Sequence, residues 1–158
     1  MVDDDLRFIR AANEIARRAR GKGNHPFGAL LVDDHGRIAV EAENTVVTSR
    51  DCTGHAETNL VRKASAIYDS AFLAKCTIYT STEPCPMCAA AIFWANVGRL
   101  VYGLGQAGLY EMIGGDSEEV LRLSCRELLE KGRKSIEVIG PLLEEECRKV
   151  HLGFWPGE

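Results

Sequence analysis

The sequence predicts a three-layer α/β/α domain built around a five-stranded mixed sheet. Helical and strand patterns follow one another in the order α-β-β-α-β-α-β-α-β-α, which is typical of a sheet with helices on both faces. Because a full helix separates the fourth strand from the fifth, these two strands should be parallel and joined by a right-handed crossover. With 158 residues, 46% of them hydrophobic, residues 1–158 are expected to form one domain with a substantial core.

The first helix and the first two strands are predicted from caps, turns and periodicity. Asp3 to Asp5 provide an N-cap and negative charge for the helix start, and Gly21 to Gly23 end the helix. Its apolar residues recur at helical spacing; they are Leu6, Ile9, Ala12, Ala16 and Ala19. Residues 27–32 predict a buried strand, and Asp33 to Gly36 turn the chain into a second strand over 37–43.

The remaining elements alternate in type. Residues 44–54 lack periodicity and are predicted to be a loop, and the Gly-rich segment 103–115 is predicted to be a loop that borders a pocket. Asp116 and Ser117 should cap a long amphipathic helix, and a tail with Phe154 and Trp155 ends the chain. The predicted helices span 55–68, 83–96, 118–131 and 141–152, and the predicted strands span 76–81, 99–103 and 135–140.

Composition argues against membranes and nucleic acid as partners. The net charge of −4 is a poor match to a protein that holds nucleic acid through its phosphates. The basic residues of the first helix are most simply a solvated face; they are Arg17, Arg18, Arg20 and Lys22. No apolar run approaches membrane-spanning length, and residues 1–5 are acidic, unlike a signal peptide. Six cysteines without secretory features indicate metal use in a reducing, cytoplasmic compartment.

Three residues have the chemistry and spacing of zinc ligands. Cys85 and Cys88 form a C-x-x-C pair at the start of a predicted helix, and His55 starts an earlier one. Zinc binds two thiolates and an imidazole tetrahedrally, and three protein ligands leave the fourth position for water. A closed structural site would need a fourth ligand, and the sequence has no second C-x-x-C or H-x-x-x-H to supply it. We therefore expect an open zinc site.

Glu57 is the candidate general acid and base. The pattern H-x-E followed by P-C-x-x-C is typical of zinc deaminases, in which the glutamate moves protons and does not bind the metal. A lone C-x-x-C is often a redox pair or half of a structural zinc site, and H-A-E alone is common by chance. Because both motifs occur here in this order, each at a predicted helix start, the sequence favours catalysis. Glu57 would take a proton from water and deliver protons to a ring nitrogen and to the departing amine.

These residues resemble the cytidine and deoxycytidylate deaminase superfamily. The resemblance extends to about Gly103 and is carried by Asn44, His55, Ala56, Glu57 and the run 83–88. The runs 26–29, 80–88 and 91–95 are most similar to the bacterial guanine deaminase branch, with the tRNA adenosine deaminase branch next. The chain departs from both at 51–55, Asp-Cys-Thr-Gly-His in place of the usual Asp-Pro-Thr-Ala-His, and after Gly103 it matches neither branch well.

The resemblance implies a cytidine deaminase-like fold, a homodimer, and zinc-dependent deamination of a free nucleobase or related aminated heterocycle, with guanine favoured. A tRNA adenosine deaminase, a cytosine or nucleoside deaminase, and a non-catalytic zinc-stabilised domain are the alternatives. The last is hard to reconcile with Glu57, because a carboxylate at a metal-bound water serves no structural need.

The expected substrate contacts are Asn44, the backbone N–H of Ala56, Phe27 and Trp94. Family members bind the base through the residue at the position of Asn44, although this residue would also serve as a strand-ending cap. Phe27 and Trp94 would stack on the substrate, or else belong to the core. The tail 152–155 is the candidate lid, in the family sometimes from the partner subunit; alternatively its aromatic residues pack on the chain's own core or at a dimer interface.

Overall fold

A five-stranded sheet runs through the centre of the computed structural model, which describes residues 2–156. The strand order is β2-β1-β3-β4-β5. In chain order the elements are α1 (Val2–Gly21), β1 (Gly28–Val32), β2 (Ile38–Glu43), α2 (Val46–Ser49), α3 (Ala56–Ile67), α4 (Ser70–Leu73), β3 (Thr77–Thr82), α5 (Pro86–Trp94), β4 (Arg99–Leu104), α6 (Gln106–Ile113), α7 (Cys125–Glu130), β5 (Glu137–Ile139) and α8 (Glu144–Lys149).

The sheet is mixed, as the sequence predicts. β1 pairs antiparallel with β2 and β3, whereas β3 pairs parallel with β4 and β4 pairs parallel with β5. The parallel pairing of β4 with β5 is confirmed, because the connection through α6 and α7 returns the chain to the same edge of the sheet.

Helices cover both faces of the sheet and form two separate cores. Successive strand residues point to opposite faces, so that Leu31 packs with α3, α5 and α7 while Leu30 packs with α1 and α6. The first core includes Leu60, Ala89, Ile92, Leu100 and Leu129. The second includes Ile9, Ala12, Val101, Leu109 and Cys147. The three-layer α/β/α prediction is confirmed.

A buried ionic network fixes α1 to the sheet. The Asp5 carboxylate accepts hydrogen bonds from the Arg99 guanidinium at 2.8 and 2.9 Å and from the Tyr79 hydroxyl at 2.6 Å. The hydrogen bonds from Arg99 lower the pKa of Asp5, and Asp5 in turn raises the pKa of Arg99. The prediction that Asp3 to Asp5 provide the N-cap is wrong: α1 already includes Val2, so these acids lie in its first turn, and Met1 lies outside the described residues.

The segment after β4 differs most from the prediction. Residues 103–115 were expected to form a loop, but they contain α6, whose Leu109 and Met112 are buried in the second core. The helix expected over 118–131 begins only at Cys125, after an N-cap at Ser124. Residues 114–123 cannot be helical because the Tyr110 hydroxyl binds both backbone groups of Leu121, and Gln106 Nε2 donates to the carbonyl of Leu123.

Smaller differences concern short elements. The last helix spans Glu144–Lys149 instead of 141–152, because Leu143 has a left-handed backbone conformation, with φ of 53°. The single-turn helices α2 and α4 were not predicted, since four residues are too few to show a period. Over residues 2–156, no helix combines the length and apolar character required to cross a membrane.

Candidate metal centre and active site

The three candidate metal ligands lie at the starts of two packed helices. His55 is the N-cap of α3, and Cys85 is the N-cap of α5, with Pro86 at the first helical position. Cys88 follows in the first turn of α5 and is fully buried. Because α3 and α5 share the first core, their N-termini converge at one edge of the sheet.

The separations of the ligand atoms fit tetrahedral zinc. His55 Nδ1 lies 3.5 Å from the sulfur of Cys85 and 3.5 Å from that of Cys88. Bond lengths of about 2.3 Å to sulfur and about 2.05 Å to nitrogen at the tetrahedral angle require a separation of about 3.6 Å. In the described part of the chain, these three residues are the group that could hold a metal ion. Cys52 is exposed on the adjacent cavity and is not a member of this group, so these three residues would hold the metal without it.

The electrostatics of the three residues favour a metal-binding thiolate. Hydrogen bonding with Cys88 and His55 lowers the pKa of the Cys85 thiol to about 4. The pKa of the Cys88 thiol is raised, because Cys88 donates a hydrogen bond to Cys85 and is buried. The hydrogen bond with Cys85 also raises the pKa of His55. Thr58 Oγ1 lies 3.2 Å from Cys88 Sγ, so a hydroxyl from α3 supports a ligand on α5.

Glu57 is a buried carboxylate beside these ligands. It lies in the first turn of α3, is only 6% exposed, and contributes to the wall of a cavity. Burial, and next the negative charge of Cys85, raise the pKa of Glu57 to about 7. A carboxyl group with a pKa near neutrality can both accept and donate protons at working pH.

A cavity of about 350 Å³ opens next to the metal ligands. Its apolar walls come from the residue before β1, from α6 and from the C-terminal tail, and include Phe27, Leu109, Tyr110, Ile113 and Trp155. Its polar lining includes Asn44, Glu57, Glu83, Gln106 and Glu119. The sequence therefore located the border of the pocket correctly at 103–115, although it predicted a loop where α6 lies.

Asn44 is oriented by its own backbone environment. It is 1% exposed, lines the cavity, and its Oδ1 accepts the N–H of Val46 at 3.0 Å. This bond leaves the Nδ2 group available, so the cap role is compatible with the substrate role, which stays a prediction. Ala56 is the first residue of α3; it is not among the residues that line the cavity, and the role of its N–H stays a prediction.

Trp94 does not reach the cavity. It is the last residue of α5 and is 77% exposed, so the expectation that it walls the pocket is corrected. Nine residues separate it from Cys85, and at about 100° per residue this rotation places it half a turn away from the ligand side. Phe27, by contrast, lies where the sequence predicted it, on the cavity wall.

The C-terminal tail supplies an aromatic wall to the cavity of its own chain. Trp155 lines the cavity. The centroid of its ring lies 6.1 Å from that of Phe27 and 5.7 Å from that of His25. Arg20 holds the tail, because its Nη1 donates to the carbonyls of Val150 and Leu152 at 2.7 Å each.

Glu83 connects the ligand loop to the cavity wall. One oxygen of its carboxylate accepts the N–H of Gln106 at 2.8 Å, and the other accepts the N–H of Cys125 at 2.9 Å. These N–H groups belong to the first residues of α6 and α7, which lack intrahelical partners.

Sequence reasoning missed Thr58, Glu83 and His151. Thr58 and Glu83 could have been found from their position next to the motifs, since Thr58 follows Glu57 and Glu83 precedes Pro84-Cys85. His151 had no such signal, because its contacts come from the tertiary fold.

Comparison with known proteins agrees with this geometry. Residues 2–104 match the family model described as the cytidine and deoxycytidylate deaminase zinc-binding region. The chain is 38% identical to a probable cytosine deaminase of Schizosaccharomyces pombe over 158 residues, 99% of this chain and 96% of that protein. It is 40% identical to the guanine deaminase of Bacillus subtilis over 123 residues, 71% of this chain and 78% of that protein.

The fold is also similar to that of solved structures. One comes from studies of A-to-I editing by tRNA:A34 deaminases at the wobble position of transfer RNA. It has a TM-score of 0.72 and 29% identity, and the match covers 92% of this chain and 99% of that chain. The relatives thus act on different aminated bases.

Proposed function

The chain belongs to the cytidine and deoxycytidylate deaminase family of zinc-dependent hydrolytic deaminases, and from this premise we propose that it deaminates a free nucleobase. The observation that carries the proposal is the position of Trp155, which, with Phe27 and Tyr110, encloses the cavity beside the metal ligands. Such aromatic walls suit a planar heterocycle that enters alone. A base within RNA would have to be extruded into the same pocket with its backbone passing beside Trp155.

His55, Cys85 and Cys88 would hold the zinc ion, whose Lewis acidity makes a water molecule nucleophilic near neutral pH. Glu57 Oε accepts the proton of the attacking water. It delivers this proton to the ring nitrogen, then takes the hydroxyl proton of the resulting adduct and passes it to the exocyclic amine, which leaves as ammonia. The buried position of Glu57 keeps this carboxyl within reach of the reacting atoms and away from bulk water.

Asn44 and the aromatic walls would orient the base. The Asn44 Nδ2 group donates to a carbonyl oxygen of the ring, and the backbone N–H of Ala56, free at the helix start, is the second proposed donor. Phe27 and Trp155 contact the ring faces or edges. Gln106 and Glu119 line the same cavity and are available for the part of the ring remote from the zinc ligands.

Guanine and cytosine are the two bases to test first. The motifs that resemble guanine deaminases lie before Gly103, although the match to the guanine deaminase of Bacillus subtilis covers 71% of the chain. The substrate-facing wall lies after that residue, in α6 and the tail. A match that extends over 99% of the chain is to the probable cytosine deaminase, and one over 98% of the chain is to a tRNA-specific adenosine deaminase of Bacillus subtilis. We therefore place cytosine beside guanine.

Charge pairing on α1 supports a free base over tRNA. Arg17 and Arg18 pair with Glu14 and Glu41, and Arg20 is engaged by the tail carbonyls. These cations have partners within the chain, which is consistent with the solvated-face interpretation, although the exposed pairs of Arg17 and Arg18 are weak.

A homodimer is proposed through α5. This helix contains no charged residue, and Trp94 at its end is 77% exposed. Burial of that apolar face in a second copy would remove the exposed indole from water. Light scattering should give twice the mass of one chain, and Trp94→Glu should shift the protein toward monomer. A monomeric wild type at micromolar concentration would exclude this proposal.

The thiolate ligands need a reducing environment, which supports a cytoplasmic location.

The test of function is ammonia release by zinc-loaded protein. The panel should contain guanine, cytosine, adenine, their nucleosides and a tRNA anticodon stem-loop, with Glu57→Gln as the matched inactive control. We expect turnover of at least one free base well above that of any nucleoside or RNA. Turnover of the stem-loop with no free base deaminated would contradict the proposal and indicate a tRNA adenosine deaminase.

A further inference from the structure

We propose that His151 is a positioning residue that holds the indole of Trp155 in place at the substrate cavity. This inference rests on the proposed function, because Trp155 is taken as a wall of the substrate site. His151 is not a zinc ligand, it is fully buried, and the chemistry described above makes no use of it.

The hydrogen bonds of the His151 ring assign its tautomer. Trp155 Nε1 lies 3.1 Å from His151 Nδ1. An indole nitrogen can only donate, so Nδ1 must accept and carries no proton. The proton of the neutral ring is therefore on Nε2, which lies 3.3 Å from Thr82 Oγ1 and donates to it.

This arrangement links the tail to the strand that delivers a metal ligand. Thr82 is the last residue of β3 and is buried, and Cys85 follows three residues later. The imidazole and the indole lie nearly coplanar and edge to edge, with an interplanar angle of 15° and centroids 6.1 Å apart, and the Phe27 ring packs against the imidazole at 63° with centroids 5.4 Å apart. Trp155 is thus held in both direction and tilt by groups fixed to the sheet.

Arg20 and His151 hold different parts of the tail. Arg20 binds the carbonyls of Val150 and Leu152, so the backbone of the tail stays docked without His151. The His151 ring determines where the Trp155 side chain points. Loss of the Nδ1 acceptor should therefore weaken substrate binding and leave the fold and the zinc site intact.

The test compares His151→Phe, which keeps a ring but removes the acceptor, with His151→Asn, whose Oδ1 can accept near the position of Nδ1. Both are made in a Trp94→Phe background, so that Trp155 is the single remaining tryptophan of the two in the chain, and activities are compared with that parent. For His151→Phe we expect KM for the free base to rise about tenfold with a smaller change in kcat, and the Trp155 emission to shift to the red. His151→Asn should restore most of both values. Zinc content should stay at one per chain.

An unchanged KM and an unchanged Trp155 emission in His151→Phe would overturn the proposal. If the emission shifts while KM does not, His151 orients the indole without serving the site, and the positioning role is wrong even though free-base turnover stands. Should His151→Phe fail to fold, ¹⁵N NMR of the zinc-loaded wild type decides: an unprotonated Nδ1 on His151 and a hydrogen-bonded Trp155 indole are expected, and a protonated Nδ1 contradicts the inference. This readout is independent of whether any free base is turned over.

Discussion

The hydroxyl oxygen of Thr58 on α3 lies 3.2 Å from the sulfur of Cys88 on α5. A zinc-bound cysteine is a thiolate and carries no proton, so in the metal-loaded protein Thr58 must be the donor. The bond stabilises charge on a buried sulfur and fixes the two ligand helices relative to each other.

Thr58→Val should weaken zinc binding, because it removes the hydroxyl and keeps the shape of the side chain. Groups that support metal ligands typically contribute about 10- to 100-fold in affinity, and for one neutral hydroxyl we expect the lower end. Competition with a chromophoric chelator measures the change. Thr58→Ser is the control and should retain most of the affinity. Equal affinities in all three proteins would show that the contact is incidental.

Glu57→Gln should abolish deamination while the protein keeps its zinc. The side chain is nearly isosteric and is not a ligand. General acid–base catalysis is typically worth about 10²–10⁴ in rate, and we expect the upper end because one carboxyl serves several proton transfers. Steady-state ammonia release and metal analysis provide the two measurements. Near wild-type turnover would remove Glu57 from the mechanism.

Deletion of residues 153–158 should reduce turnover of a free base by about tenfold or more and leave zinc content and secondary structure unchanged. The deletion removes Trp155 from the cavity wall. Removal of 157–158 alone, which lie outside the described residues, is the matched control and should retain activity. If the longer truncation is fully active, the tail is not a lid.

Asp5→Asn should lower the free energy of unfolding by about 2 kcal/mol, because it removes the buried carboxylate that pairs with Arg99 and leaves this guanidinium only its exposed partner Glu137. Asp4→Asn is the matched control on the same turn. Asp4 pairs with Arg7 where both side chains are 63% exposed, and such a surface pair contributes about 0.5 kcal/mol or less. Urea unfolding of the two variants tests the difference. Equal effects would mean that the buried network contributes no more than a surface pair.

His151 should make the protein less stable as the pH falls from about 6.5 to about 4. Burial, helped by the positive charges of Arg20 and Arg148, lowers the pKa of His151 to about 4, whereas an unfolded histidine titrates near 6.5. Between these values the unfolded state binds more protons, so unfolding becomes easier with acid, by at most about 3 kcal/mol, and the effect levels off below pH 4. His151→Asn should lack this contribution. The comparison of the two unfolding curves cancels the ionisation of the zinc ligands, and parallel curves would contradict the prediction.

The sequence was sufficient for the metal ligands and Glu57 because that chemistry requires fixed spacing within short segments. It was also sufficient for the parallel pairing of β4 with β5, which a helical connection imposes. It failed for Trp94, because residue type alone does not give the side of the helix on which a side chain lies. It failed for α6 because the glycines at 103, 105 and 108 are typical of a loop, whereas the helix is stabilised by apolar residues that pack in the second core. The bonds of Tyr110 and Gln106 to residues 121 and 123 have no local signature.

The carboxylate of Glu83 accepts hydrogen bonds from the N–H groups of Gln106 and Cys125, at the two ends of residues 106–125. The family model matches residues up to 104. The part of the cavity wall formed by residues 106–125 is therefore attached at both ends to a residue beside the zinc-ligand motif, so its side chains can change while the two attachment points stay fixed. This arrangement suits laboratory evolution. A library randomised at Leu109, Ile113 and Glu119, with Glu83 retained, would explore new heterocycles without a cost to zinc binding.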